Sequence, residues 1–143
     1  MLVSQVLKDK GDMVFTASPS DTIAAVASML FARRVGAMVV TKGDREVVGI
    51  VSERDVVRVV AEDGGAGLGR PVSDCMTRDV IFAAPGESVD SLLARMTDRR
   101  IRHLPVCVDQ RLVGIVSIGD LVKSKIAEAT AEAEGLRAYI SAA

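Results

Sequence analysis

The stretch VVGIVSERDVVR, Val47–Arg58, returns as LVGIVSIGDLVK at Leu112–Lys123, 65 positions later. Upstream, VFTASPSDTIAAVASMLFARRV (Val14–Val35) aligns with VIFAAPGESVDSLLARMTDRRI (Val80–Ile101) at an offset of 66. One extra residue in the turn near Gly43–Asp44 reconciles the two offsets. Further upstream, VSQVL at Val3–Leu7 echoes VSDCM at Val72–Met76. A period of this length means that one supersecondary unit is written twice, so the fold has to be read from the unit.

Within each unit, Pro19 and Pro85 follow short apolar stretches and precede helix starts, with Ser20 or Asp21 as the expected N-cap of the first and Ser88 of the second. Ile23, Val26, Ala27 and Leu30 then fall at i, i+3, i+4, i+7, and Val89, Leu92, Leu93 and Met96 keep the same stripe. That spacing gives an amphipathic helix with one buried face. Two short Val- and Ile-rich runs follow in each copy, Ala37–Thr41 with Val47–Val51 and Leu104–Val108 with Leu112–Val116, each pair separated by a polar turn. Such runs read as hairpin strands. A second helix is expected directly after Ser52 and Ser117. The fold class is therefore mixed α/β (α+β), strand, helix, strand, strand, helix in each copy. A half of about 60 residues covers its own core poorly. The duplication is expected to close it by packing the two sheets about a pseudo-two-fold axis, leaving clefts between the halves where ligand sites form. The expected organisation is a first repeat over 1–66, a Gly-rich linker at 67–71, a second repeat over 72–127 and a helical tail at 128–143.

Composition narrows the function. Eighteen basic and nineteen acidic residues leave a formal charge of −1, with no field to attract nucleic acid. The opening MLVSQVLKDKGD lacks the apolar core of a signal peptide, and Arg33–Arg34 interrupt the longest candidate span, so a cytoplasmic address and no membrane contact are expected. Cys75 and Cys107 match no metal spacing and are read as free thiols. The single histidine, His103, has no Cys or His partner for a metal and no adjacent nucleophile, so neither a metal site nor catalysis is expected.

The twice-written Gly-Ile-Val-Ser-x-x-Asp, with Arg-His-Leu-Pro-Val at Arg102–Val106 and Asp-Cys-Met-Thr at Asp74–Thr77, resembles tandem cystathionine-β-synthase-type (CBS) repeats, or a Bateman module. The resemblance covers nearly the whole chain. It implies two clefts that in many relatives hold AMP, ATP, NAD or S-adenosylmethionine, and it implies dimerisation into flat disks. In relatives the Asp of the motif binds ribose hydroxyls, the Ser lies near ribose or phosphate, and the strand before Arg-His-Leu-Pro helps to hold adenine. The expected contacts are Ser117 and Asp120 in the better-formed site, and Ser52 and Asp55 in the other. Arg54, Arg102 and His103 are expected to neutralise phosphate, and Pro105, Phe82 and Thr16 complete the set. AMP is the favoured ligand, with ATP or NAD as alternatives, and the regulated partner is expected to be a separate protein chain. The same Ser and Asp also form a capping box, in which each side chain satisfies the other residue's backbone N–H without any ligand. Both readings apply to Ser52/Asp55 and to Ser117/Asp120.

Two segments lie outside the repeated motif. EDGGAGLGRP, Glu62–Pro71, has four glycines but lacks a Gly-Lys-Ser/Thr ending, so it reads as a mobile linker rather than a phosphate cradle. In the tail, Val122, Ile126, Ala129, Ala133, Leu136 and Ile140 recur at steps of 4, 3, 4, 3, 4, the seam of a helix that packs along another. A dimer contact or back-packing on its own domain would each use that seam, and a bend is expected at Gly135.

Overall fold

The structure is a computed structural model that describes residues 1–11 and 14–142. Residues 12 and 13 of the expected first repeat and 143 of the expected tail lie outside the described residues. The elements in order are α1 (Val3–Lys10), β1 (Thr16–Ala17), α2 (Ile23–Arg33), β2 (Ala37–Lys42), β3 (Glu46–Ser52), α3 (Glu53–Asp63), α4 (Val89–Arg99), β4 (His103–Val108), β5 (Arg111–Ser117) and α5 (Ile118–Ala142). The mixed α+β class and the duplicated unit hold.

Local chemistry explains the repetition. α2 starts at Thr22, whose hydroxyl accepts from Ala25 N at 3.1 Å, and α4 at Ser88, which accepts from Ser91 N at 3.1 Å. Thr22, not Ser20 or Asp21, is thus the N-cap. Asp21 instead accepts from Ser18 N in the preceding turn. The stripe residues Ile23, Val26, Leu30, Val89, Leu92 and Met96 are all buried. Both hairpins carry a bulge at the same place, Val40/Thr41 and Val106/Cys107. The one-residue difference between copies sits in the turns. Lys42 pairs with Glu46 across three residues, whereas Val108 pairs with Arg111 across Asp109 and Gln110, both at positive φ. Two consecutive positive-φ residues make the tight turn whose twist suits a hairpin.

The strands form one five-stranded sheet in the order β1-β2-β3-β5-β4. β1 pairs parallel with β2, and its counterpart in the second half is the single bridge Ala83↔Val106. The two hairpins meet in the register pair Glu46↔Arg111, which joins the strands of the two halves edge to edge into this one sheet.

Each half has its own core, and the halves exchange a segment. Val72, Cys75 and Met76 pack with Ile23, Val26, Met38 and Val51 of the first half. Val3 and Val6 of α1 pack with Leu92, Met96, Leu104 and Val116 of the second. Equivalent backbone bonds hold the two segments, Val72 N to Asp21 O at 2.7 Å and Val3 N to Glu87 O at 2.9 Å. This exchange gives the motif glycine its reason. A Cβ on Gly49 would lie 2.4 Å from Met76 Sδ, and one on Gly114 would lie 2.6 Å from Leu7 Cδ2. The glycine is the hole into which the exchanged segment fits.

The Gly-rich stretch is not a free linker. Gly64–Gly69 winds into a 3₁₀ helix against α3, with Gly67 buried so tightly that a Cβ would meet Val59 Cγ1 at 2.6 Å. Arg70 closes it through an ion pair with Asp63 at 2.7 Å, and its carbonyl accepts from Ile23 N. α5 runs unbroken through Gly135 to Ala142. No helix among the described residues is long and apolar enough to cross a membrane.

Candidate functional site

A cleft of about 600 Å³ opens between the halves, within the usual size of a small-molecule site. One wall is the start of α3, with Ser52, Glu53, Arg54, Asp55 and Arg58. The opposite wall is Arg100 to His103 and Pro105 at the start of β4, and Ser117, Ile118 and Gly119 close the end. The segment Thr77–Ile81 bridges the halves. Thr77 exchanges two backbone hydrogen bonds with Ile50 (3.0 and 2.9 Å), and Ala83 N donates to Pro105 O at 2.9 Å.

Ser52 and Asp55 form the capping box. Ser52 N donates to Asp55 Oδ2 at 2.8 Å, and Asp55 N to Ser52 Oγ at 3.4 Å. Ser117 and Asp120 repeat it, at 2.9 and 3.1 Å. The capping reading therefore holds in both copies. The helix starts are partly closed to an anion, because Glu53 N already donates to Gly36 O and Ile118 N to Arg102 O.

The second half of each carboxylate's environment differs between copies. Asp55 is 6% exposed, and Arg58 Nη1 donates to its Oδ1 at 2.9 Å while Nη2 donates to Cys75 O. Asp120 receives the Lys10 ammonium on Oδ2 at 2.7 Å, and the same ammonium donates to Ile115 O at 2.9 Å. Burial alone would raise the Asp120 carboxyl. Lys10 and the Ser117 backbone N–H outweigh it and hold Asp120 below the ordinary carboxylate range. A residue of α1 thus sits on the acceptor of the second copy, where the first copy uses a residue of its own helix.

Of the sequence-derived candidates, Ser52, Arg54, Asp55, Arg102, His103, Pro105 and Ser117 line this one cleft. Asp120, Phe82 and Thr16 do not. Thr16 is exposed on β1 opposite Val39, and Phe82 is 43% exposed, its carbonyl accepting from Arg95 Nη1. Asp55 lines the cleft and Asp120 does not; Asp55 is tied to Arg58 and Asp120 to Lys10. Sequence reasoning missed Arg58, Arg100, Asp79 and Lys10. Arg58 was legible as an i+3 partner of Asp55, whereas Lys10 lies 110 positions from Asp120 and gave no signal.

The cleft gathers Arg54, Arg58, Arg100 and Arg102 against Glu53, Asp55 and Asp79, a cationic excess suited to an anion. His103 lies against Gly36, where a Cβ would come within 3.2 Å of its Nε2. Cys75 is buried and Cys107 half-buried, and both are free. Among the described residues no group of three His, Cys, Asp or Glu side chains gathers to hold a metal ion.

The CBS domain family matches residues 10–62 and 72–126. A mitochondrial CBS domain-containing protein of Arabidopsis thaliana is 35% identical over 146 residues, spanning 96% of this chain and 71% of that protein. A solved CBS-domain containing protein from Agrobacterium tumefaciens is similar with a TM-score of 0.84 and 42% identity, over 87% of this chain and 99% of that one. A CBS domain pair solved in complex with 5′-methylthioadenosine and S-adenosyl-L-methionine matches with a TM-score of 0.77 and 27% identity, over 86% of this chain and 98% of that one.

Proposed function

The chain belongs to the CBS domain family, and from that premise we propose that it is a non-catalytic sensor binding an adenosine-containing nucleotide between its two repeats. The observation that carries this is the cleft itself, built from both repeats and lined by four arginines around the Asp55 capping box. A ribose diol suits Asp55, since one carboxylate accepts from both hydroxyls. On entry of the ligand the diol takes over Oδ1 from Arg58, and Arg58 turns to phosphate together with Arg54 and Arg102. Guanidinium groups pair well with phosphate oxygens, so AMP ranks first, ATP and NAD follow, and the cationic S-adenosylmethionine ranks last. The relative bound to adenosine-type ligands supports the ligand class. The protein self-associates, acts in the cytoplasm, and signals to a separate protein by favouring one conformation when the ligand is bound.

A second reading has one observation behind it. Both motif carboxylates are already satisfied by protein cations, Asp55 by Arg58 and Asp120 by Lys10. In that reading the clefts are vestigial and the protein works as an interaction dimer. Thermal melting in millimolar AMP, ATP, NAD and S-adenosylmethionine separates the two, because a ligand that binds the native state must stabilise it. The sensor reading expects the midpoint to rise with the three phosphate-bearing ligands. An unchanged midpoint in all four would leave the interaction reading standing.

A further inference from the structure

The seam of α5 is bare. Val122 is 44%, Ile126 62%, Leu136 61% and Ile140 64% exposed, and Ala129 and Ala133 between them are exposed as well. The helix is attached by the flank beside the seam, through buried Leu121 and through Lys125, which pairs with Asp90 at 3.0 Å. The family match ends at residue 126, and the helix continues beyond it to Ala142. We propose that this extension binds the same helix of a second copy as a parallel, two-stranded coiled coil.

The heptad assignment carries the choice of occupant. Ile126, Ala133 and Ile140 fall at one core position and Val122, Ala129 and Leu136 at the other. Ile126 and Ile140 at the first position and Leu136 at the second favour two parallel strands. The flanking charges decide orientation. In a parallel pair Glu132 faces Arg137 of the second copy, twice by symmetry, and Lys125 faces Thr130. In an antiparallel pair Lys123 would face Arg137, also twice, and Glu132 would face its own copy. The parallel arrangement brings together only opposite charges; the antiparallel one brings together only like charges among these residues. The two alanine layers let the helices approach closely at the middle of the seam. Two heptads are short for an isolated helix, but here the first turns are already folded against the body. The pairing rests on the self-association proposed above and not on what occupies the cleft.

The test uses the full chain. Leu136 faces its own copy only in the parallel register, so under mild oxidation Leu136→Cys is expected to give a disulfide-linked dimer. The unsubstituted chain, with Cys75 and Cys107, serves as the control. Arg137→Glu is expected to weaken dimerisation about ten-fold in sedimentation equilibrium, and adding Glu132→Arg to restore it. Leu136→Cys that stays unlinked while the mass remains dimeric overturns the coiled coil and leaves self-association intact. Arg137→Glu that tightens the dimer overturns the parallel register, and a monomeric unsubstituted chain overturns both.

Discussion

Burial and the neighbouring Arg102 hold the His103 imidazole below its ordinary range; Lys10 adds to the effect, while Asp120 and Glu53 oppose it. The folded protein therefore takes up this proton at lower pH than the unfolded chain does. The contribution to stability is full above the unfolded pKa of about 6.5 and is lost as pH falls from there through the depressed folded value. His103→Gln is expected to flatten that part of a stability-versus-pH curve measured by urea unfolding. An unchanged slope would show that His103 is not the titrating group. Bound phosphate reverses the preference, since it favours the imidazolium, so nucleotide affinity is expected to rise over the same fall in pH. Lys10 makes a second prediction at this scale. Lys10→Met removes the ammonium from Asp120 Oδ2, and the Asp120 carboxyl is expected to titrate at higher pH by NMR. An unchanged titration would mean that Lys10 does not hold it down. These are the features the sequence carried least well. The Ser and Asp of each box were legible because their spacing is local, but the cation that meets each Asp depends on which element the fold lays across it.

At the scale of elements the sequence reading was closest where periodicity and sterics act alone. All four hairpin strands fall within a residue of their expected bounds, since short Val- and Ile-rich runs on either side of a polar turn define them without outside help. The exceptions have physical causes. The glycines of Glu62–Pro71 suggest a mobile linker, yet Gly67 is glycine because Val59 leaves no room for a Cβ. The N-cap of α2 is Thr22, the position onto which the offset of 66 maps Ser88, rather than Ser20 or Asp21. The motif glycines carry a prediction. Gly49→Ala drives a methyl into Met76 and toward the Thr77 carbonyl, 3.0 Å away, whereas Gly114→Ala meets only the Leu7 side chain. Overpacking of this kind costs about 1–3 kcal/mol. Gly49→Ala is expected toward the upper end of that range and Gly114→Ala toward the lower, by urea unfolding, and the reverse order would contradict the account.

In the whole molecule, the decisive feature is the exchange of α1 and the 72–76 segment between the two cores. The echo of VSQVL in VSDCM was visible in the sequence, but which core each copy would enter was not, because each is apolar enough for either. The exchange also places Lys10 on Asp120, where Asp55 instead meets Arg58 of its own helix. Deleting residues 1–10 removes Val3 and Val6 from the second core alone. Each buried Val is worth about 1.5–3 kcal/mol, so amide exchange is expected to quicken in α4, β4 and β5 while α2, β2 and β3 keep their protection. Uniform quickening would mean that the two cores unfold as one.

The proposal that the open cleft beside Asp55 holds the nucleotide is tested most directly by AMP titration of Asp55→Ala beside Asp120→Ala. Each change removes the same capping box, so the helix-start cost of about 1 kcal/mol is common to both. The difference between them reads the ligand. Losing a hydrogen-bonded carboxylate at the diol corresponds to about ten-fold or more in affinity. Asp55→Ala is expected to lose that much, and Asp120→Ala to stay near the unsubstituted protein. Equal losses, or the larger loss at Asp120, would contradict the assignment.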